Sequence, residues 1–520
     1  MNISSCTKYT FCSKIIRLNF LILSLIGLNG LIGLKSYAKE KEFSFTLFEE
    51  PHSLDPAASR GVSGSYLFNN IYRSLYRYHP EKGLIPEGAD KCDRANPLTV
   101  ICKLNKNIKF SDGSPVYAEH YIKNFKRLLS HNVRTTHLEQ LFGIKNALEI
   151  IKKEKKVDDL GILAKDKFTL VFYLSYPDKE FEYRLISPLF SPIKSDFPSV
   201  ENFKSLVNNG PFVISDWKKH HNITLKRNPY YKIKDKNLIQ TVKIYFAEDE
   251  LTAKNLYRTK RISFLRRIKS SDIPTMRGQE DFIQLPVARF DYIGFGPQLK
   301  DSPHLRKALS LSLNFPELKQ LYQALGMPGC PALANKYYDT LPCLNFDLVK
   351  AQKELALVPK ETLKKPLELY YSKLGGDDHF KGMQWFQNQW KKNLKIHVEL
   401  KPIEQGMFVQ NLRTSPPSMF RKGVGLDRPT CLAAHEIFTP GNSENYIKLE
   451  DDQYMSLLTQ LIRSNNPTQS KKICTKLTKV LIDKNYLIPL GEIHFSMLLR
   501  PGFSGLFLNE LNQLDLTDLK

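Results

Sequence analysis

The sequence has no Cys-x-x-Cys pair, which removes the usual signal of zinc ribbons and thioredoxin-like redox centres. It also lacks an HExxH motif, a P-loop, and a GxGxxG motif at a strand-to-helix junction. Gly61–Ser65 resembles a nucleophile elbow, but its fifth position is serine where that motif needs glycine. Because no nucleophile and base can be paired, the sequence predicts a protein that is not an enzyme and has no metal or cofactor.

Acidic residues are few relative to basic ones: 53 Asp and Glu stand against 76 Lys and Arg, a formal net charge of +23. The lysines are dispersed, and dense runs such as Lys152–Lys156 are interrupted by acids. No nucleic-acid-binding motif accompanies them. We interpret the surplus as mostly a solvated surface and predict no nucleic-acid partner. With 42% hydrophobic and 25% charged residues, the chain is globular, and it has no internal repeat.

Long apolar runs are missing except near the start. Lys8, Lys14 and Arg17 precede a largely apolar stretch, 18–34, and small residues follow at Ser36–Ala38. This is the layout of a secretory signal, so we predict cleavage after residue 38. A retained membrane anchor is the alternative, but asparagines and glycines interrupt the stretch. No cysteine follows the apolar run closely, which argues against a lipid anchor.

Six cysteines remain after the predicted cleavage, an even number that is compatible with disulfides in an exported protein. Two short spacings suggest the pairs Cys92–Cys102 and Cys330–Cys343. The remaining two, Cys431 and Cys474, either pair with each other or stay buried and reduced.

Strand-like and helix-like patterns are mixed along the whole chain. Alternating residues predict short strands at 43–48, 98–104 and 168–174, and i, i+3, i+4 patterns predict helices at 453–463 and 468–484. Arg413–Pro417 has the composition of a loop, and Asp377–His379 beside two glycines is also interpreted as a loop.

Several segments, in chain order, resemble family 5 of the bacterial extracellular solute-binding proteins, which includes the peptide-binding proteins of ABC importers. The matching segments are Ser53–Pro56, Lys109–Glu119, Asn209–Trp217, Leu225–Tyr231, Leu305–Leu313, Gly425–Asp427 and Ile488–Leu490. They extend over nearly the whole chain after residue 38. The Ser-Asp-Gly-Ser-Pro turn at 111–115 and Asn209–Pro211 suit scaffold roles, so the signatures indicate the fold rather than the specificity.

The resemblance implies an α/β fold: a two-lobed periplasmic binding protein, class II-like, with an extra small domain inserted in the first lobe. The first lobe would comprise 39–75, 200–287 and 489–520, the small domain 76–199, and the second lobe 288–488. Ligand would lie in the cleft between the lobes, which close over it by a hinge motion.

The implied function is the periplasmic substrate-binding component of an ABC importer, which captures short peptides and delivers them to a permease and its ATPase. The protein would be a monomer that meets the membrane only through the permease. Three alternatives stay open. One is a same-fold binder of a nickel complex, haem or a sugar derivative; the others are an exported polyanion-binding or adhesion protein and an exported hydrolase.

The resemblance also implies a set of ligand residues. In peptide-binding members an aspartate pairs with the α-ammonium of the ligand, and Asp427 stands at that position. The predicted ligand-binding residues are Asp427, Arg428, Arg60, Gly61, Val62, Arg413, Arg421 and Gln405. Residues 60–62 would run beside the peptide backbone, and the two arginines at 413 and 421 would serve the carboxylate end.

Several positions depart from the family pattern, and two of them bear on the charge of the pocket. Arg428 replaces a tyrosine after the site aspartate, and Arg60 replaces an acidic residue of some relatives. Both changes predict a more cationic pocket that favours acidic peptides. The alternative is a relative with altered or weak peptide binding.

Overall fold

The computed structural model describes residues 41–58, 62–130, 138–232, 235, 237–331, 337–340 and 343–520. The predicted signal peptide, 1–38, lies outside these residues. Among the residues that are described, none of the helices combines the length and the apolar character that a membrane span requires.

The structure alternates strands and helices throughout. The strands are β1 Glu42–Leu47, β2 Tyr76–His79, β3 Gly83–Pro86, β4 Ala89–Asn96, β5 Thr99–Leu104, β6 Ile162–Asp166, β7 Thr169–Tyr173, β8 Phe212–Lys218, β9 Asn222–Arg227, β10 Thr241–Phe246, β11 Phe264–Leu265, β12 Phe282–Pro286, β13 Arg289–Phe295, β14 Leu325–Pro328, β15 Leu367–Ser372, β16 Val398–Ile403, β17 Met419–Gly425, β18 Leu487–Pro489, β19 Gly491–Leu499, β20 Phe507–Leu508 and β21 Leu514–Asp515. The α-helices are α1 Val62–Ile71, α2 Ala118–Leu129, α3 Ala147–Ile151, α4 Phe181–Arg184, α5 Glu250–Arg258, α6 Ile273–Met276, α7 Pro303–Leu311, α8 Phe315–Leu321, α9 Leu348–Ala356, α10 Gly376–Leu394, α11 Gln405–Thr414, α12 Cys431–Glu436, α13 Asp452–Arg463 and α14 Pro467–Asp483.

The largest sheet draws its strands from distant parts of the chain. Its order is β12-β19-β11-β1-β10-β9-β8, and β14 pairs with β19 beside this path. Strand β1 is central and almost wholly buried, with Phe43, Phe45 and Leu47 in the core beneath helix α1. Because β19 lies between β11 and β12, the sheet requires residues that are more than 200 positions apart.

A second sheet has five strands, in the order β16-β15-β17-β13-β18. Strand β15 runs parallel to both β16 and β17, whereas β13 runs antiparallel to β17 and β18. Apolar cores lie on both faces of this sheet: one includes Trp385 and Trp390 of α10, and the other includes Leu457 of α13 and Leu477 of α14.

A four-stranded antiparallel sheet, β4-β5-β7-β6, has its own core. Helix α2 packs on it through one face, on which Tyr121, Phe125 and Leu128 are buried. Each of the three sheets has its own core. The small domain and the boundaries of the two lobes stay predictions.

The signature motifs have the scaffold roles that the sequence suggested. Gly113 has φ +84°, and a Cβ on it would lie 3.0 Å from the ring of Tyr230, which belongs to another signature segment. Asn228 donates to the carbonyl of Gly210 at 2.9 Å. These contacts join turns to strands inside the protein and leave the ligand specificity to other residues.

Most element predictions are confirmed within one or two residues, including helices α13 and α14. The loop prediction for Asp377–His379 is wrong, and the one for Arg413–Pro417 is wrong for its first two residues. Arg413 lies in the last turn of α11, and the chain leaves the helix only at Ser415. Asp377–His379 belongs to the first turn of α10, where the two aspartates face the positive end of the helix dipole.

Disulfides join Cys92 to Cys102, Cys330 to Cys343 and Cys431 to Cys474. The first two are the pairs that short spacing suggested. Cys431 and Cys474 pair with each other and do not stay reduced, and their disulfide links α12 to α14.

Candidate functional site

The segment after β17 carries the predicted site aspartate. The strand ends at Gly425, and α12 begins at Cys431 after the Thr430 hydroxyl accepts a hydrogen bond from the Ala433 amide at 3.2 Å. The short connection between them contains Asp427 and Arg428. The disulfide from the first residue of α12 to α14 then anchors this connection to the core of the second lobe.

The Arg428 side chain is fully buried and compensated by carboxylates. Its Nε donates to Glu180 at 2.9 Å, its Nη1 to Asp427 at 2.8 Å, and its Nη2 to Glu436. Burial lowers the pKa of this guanidinium, but the three carboxylates outweigh that effect and hold the pKa well above its ordinary value. The prediction that Arg428 adds a free cation to the pocket is therefore not met.

Arg184 is a second cation in the same cluster. Its Nε donates to Asp178 at 2.8 Å, while its Nη1 and Nη2 lie 3.8 Å from Asp427 and 3.7 Å from Glu436. Burial raises the pKa of Asp178, but Arg184 more than reverses this and lowers it overall. These charges come from a segment, 178–184, that packs on the core of the four-stranded sheet.

The cluster has more negative than positive charge. Four carboxylates, at 178, 180, 427 and 436, face two guanidinium groups and the ammonium of Lys179, which leaves one negative charge in surplus. Asp427 and Glu436 form its accessible edge, because their side chains are 32% and 27% exposed. A ligand cation at this edge would balance the cluster.

A second charged group lies on neighbouring strands. The fully buried Asp291 carboxylate of β13 accepts from Arg289 Nε at 2.5 Å and from Arg421 Nη2 of β17. Gly423 makes this arrangement fit, since a Cβ there would lie 2.0 Å from Arg289 Nη2. The Arg421 side chain is only 5% exposed, and its buried Nε has no hydrogen-bond partner among the described residues.

Groups from the large sheet approach this arginine cluster. The amide of Ser270, a few residues after β11, lies 3.4 Å from the carboxylate of Asp378 on α10. The pKa of His379 is held well below its ordinary value by burial first and then by the positive charges of Arg421, Arg289 and Arg267. The buried hydroxyl of Ser270 also has no partner in the described part of the chain. Unused donors from the two predicted lobes, the Ser270 hydroxyl and Arg421 Nε, therefore suit an anionic group.

Among the other predicted ligand residues, Gln405 and Arg413 make none of the contacts that define these two clusters. Gln405 and Arg413 are exposed at opposite ends of α11, and Arg413 lies beside the Tyr446 hydroxyl. Arg60 and Gly61 lie outside the described residues, and Val62 is the first residue of α1. Their roles in ligand binding stay predictions.

Several charged residues of the site were missed by the sequence reasoning. Arg289 and Asp291 are separated by two positions on a buried strand, a spacing that places both on one face and that could have indicated them. Glu180 and Glu436 gave no such signal.

Helix α12 also contains a buried histidine, His435. Its ring lies 2.8 Å from the Tyr454 hydroxyl and 3.1 Å from that of Thr478, and burial lowers its pKa from 6.5 to about 3. The unfolded chain therefore binds a proton below about pH 6.5 that the folded protein rejects until about pH 3. We expect this residue alone to reduce the free energy of unfolding by about 2 kcal/mol at pH 5 relative to neutral pH.

Denaturant titrations between pH 7 and pH 4 would measure this effect in the wild type and in His435→Gln. The substitution should reduce the fall in the free energy of unfolding between pH 7 and pH 4. This holds regardless of how far the substitution destabilises the protein at neutral pH. The exposed His397→Gln serves as the control and should leave the slope unchanged. An identical slope in wild type and His435→Gln would contradict the assignment.

The chain matches the family model "Bacterial extracellular solute-binding proteins, family 5 Middle" over residues 84–441. It is 25% identical to the oligopeptide-binding protein OppA of Bacillus subtilis, with 91% of this chain and 92% of that protein covered. It is 24% identical to the periplasmic oligopeptide-binding protein OppA of Escherichia coli, with 88% of each covered.

Solved structures agree on the fold. The murein tripeptide binding protein MppA of Escherichia coli superposes with a TM-score of 0.78 at 20% identity, over 93% of this chain and 98% of that one. OppA of Burkholderia pseudomallei gives a TM-score of 0.77 at 21% identity, over 93% and 99%. The predicted α/β, two-lobed periplasmic-binding-protein fold is confirmed, and the family model covers more than half of the chain. The chain therefore belongs to family 5 of the bacterial extracellular solute-binding proteins.

Proposed function

We propose that this protein is a periplasmic receptor that captures short peptides between its lobes and delivers them to an ABC permease and its ATPase. Its family consists of binding proteins, and relatives over most of its length carry the names oligopeptide-binding and dipeptide-binding protein. In this proposal the protein acts as a monomer without catalytic activity. It reaches the periplasm through its cleaved signal and meets the membrane only through the permease.

One arrangement carries the proposal: a single segment presents groups for both ends of a zwitterion. Arg421 has a buried, unused Nε, and Asp427, six positions later, lies at the accessible edge of a cluster with surplus negative charge. Six extended residues reach at most about 20 Å, which is within the length of a short peptide. We therefore assign the ligand ammonium to Asp427 and the ligand carboxylate to Arg421.

The remaining predicted contacts complete the proposal. Residues 60–62 would pair with the peptide backbone, where glycine permits close approach. Gln405 and Arg413 would contribute at the rim. Arg428 gives no support to a preference for acidic peptides, because three carboxylates of the protein already neutralise it.

Native mass spectrometry of gently purified protein tests the proposal, and masses of di- to hexapeptides should accompany the folded chain. Calorimetry with tetra-alanine should then give saturable binding, since the free ends reach both charged groups. Blocking the amino end by acetylation or the carboxyl end by amidation should each weaken binding, and tetra-alanine blocked at both ends is the control. Absence of peptide masses, together with no heat from mixed di- to hexapeptides, would contradict a peptide receptor.

A further inference from the structure

The segment Asp178–Arg184 touches the second lobe through charged side chains. Phe181 of this segment packs in the core of the four-stranded sheet, which is predicted to belong to the first lobe. Leu426 and Cys431, which flank Arg428, pack in a separate core beside the five-stranded sheet. Contacts between these two segments therefore join two independently packed parts of the molecule.

Glu180 makes the central contact. Its Oε2 accepts from Arg428 Nε at 2.9 Å and from the Thr430 hydroxyl at 2.8 Å, both across the junction. Burial raises the pKa of Glu180, while Arg428 and Thr430 act in the opposite direction. Since one carboxylate oxygen binds two donors from the other side, Glu180 is the acid that ties the four-stranded sheet to Arg428.

Lys179, the preceding residue, makes a second and different contact. Its Nζ donates to the carbonyls of Leu461 and Ser464, at 2.8 and 2.6 Å. These carbonyls end helix α13, where the negative end of the helix dipole favours a cation. Lys179 and Glu180, which have opposite charges, thus contact two different elements of the predicted second lobe: the end of α13 and the segment that contains Arg428 and Thr430.

Every partner in the contacts of Lys179, Glu180 and Arg428 is a group of the protein itself, so these contacts need no ligand. The guanidinium of Arg428 is 0% exposed and receives one carboxylate from the first side of the junction and two from its own side. Separating the two sides would break both hydrogen bonds to Glu180, from Arg428 and from Thr430, and both hydrogen bonds from Lys179 to carbonyls of α13. Hydrogen bonds that involve a charged group are the stronger ones, so the loss of this set opposes opening even when no ligand is present.

We infer that Lys179, Glu180, Arg428 and Thr430 form a closure clasp, by which the protein holds its two lobes together without a ligand. The cation that joins the two sides is Arg428, a residue of the protein and not a group of the ligand. The ligand-free protein then populates mainly the closed form, and the clasp sets how readily the lobes open to exchange ligand. Arg428 is a positioning residue in this scheme, because it also orients the carboxylates of Asp427 and Glu436.

Small-angle X-ray scattering of ligand-free protein tests the clasp, with the absence of ligand verified by native mass spectrometry. The wild type should give the scattering profile calculated from this structure, in which the two sides of the junction are in contact. Glu180→Gln keeps the size of the side chain but removes its charge, and it should lower the closed-to-open ratio at least ~10-fold and increase the radius of gyration. Lys179→Met should expand the protein in the same direction, because it removes the hydrogen bonds to the carbonyls of Leu461 and Ser464.

Glu182→Gln is the matched control. This acid lies in the same segment but pairs with Arg94 of β4, on its own side of the junction, at 2.7 Å. It should leave the scattering unchanged, and thermal melts would establish that all three variants are folded. An expanded ligand-free wild type, or folded Glu180→Gln and Lys179→Met proteins as compact as the wild type, would overturn the clasp. Because no peptide is used, the result is independent of whether peptides prove to be the ligand.

Discussion

Arg421→Gln is expected to weaken the binding of a peptide with a free carboxyl end by about 30-fold or more, which corresponds to a loss of at least about 2 kcal/mol. The reason is that a guanidinium with a buried, unpaired Nε can donate a charge-assisted hydrogen bond to the ligand carboxylate. Asp291 keeps Arg289 as a counter-ion at 2.5 Å, so the strand does not lose all compensation of its buried acid.

Calorimetry with a tetrapeptide and its C-terminal amide would measure this prediction. The affinity for the free acid should fall in the variant, whereas the affinity for the amide should change little. Lys422→Gln is the control, because it removes the same charge from the next residue of β17, whose ammonium pairs with Glu444 at 3.2 Å. An equal loss for acid and amide would mean that Arg421 has only a structural role.

Removing the disulfide between Cys431 and Cys474, with both residues changed to alanine, is expected to lower the free energy of unfolding by about 4 kcal/mol. This estimate follows from the closure of a loop of 43 residues in the unfolded chain. The bond between Cys92 and Cys102 closes only 10 residues, so its removal should cost less, about 3 kcal/mol.

Denaturant unfolding followed by tryptophan fluorescence would compare the two variants. Trp385 and Trp390 report on the core on one face of the five-stranded sheet, and the disulfide of the longer loop lies in the core on the opposite face of the same sheet. The Cys92/Cys102 double-alanine variant is the control for the loss of a disulfide elsewhere. An equal or smaller cost for the longer loop would contradict the entropic explanation.

Local structure was largely predictable from the sequence. The stripe of Tyr454, Leu457, Leu458 and Leu461 predicted α13, and these residues are buried where the pattern put them. The end of α11 was missed because Arg413–Pro417 contains two prolines, yet the helix continues to Thr414 before they take effect. Ser302, a residue type that favours helix starts, precedes α7, but its hydroxyl makes no cap hydrogen bond.

The site was only partly predictable. A local motif led to Asp427, but the acid that ties its neighbour Arg428 to the other side of the junction, Glu180, is 248 positions away from that arginine. Periodicity and turn chemistry describe neighbours along the chain, so they contain no information about which distant charges meet. The burial of Arg428 reversed the predicted effect of that substitution, because exposure depends on the packing of both lobes.

The position of β19 in the largest sheet has a consequence for the order in which the protein can mature. Strand β12 hydrogen-bonds to β19 and to no other named strand of the described sheet, so residues 282–286 have no place until residues 491–499 are available. As the chain emerges from its N-terminus, the segments of the four-stranded sheet, 89–173, are available early, whereas the five-stranded sheet is complete only when β18 at 487–489 has followed. The largest sheet also needs β19, so it is the last part of the molecule that can complete its hydrogen bonds.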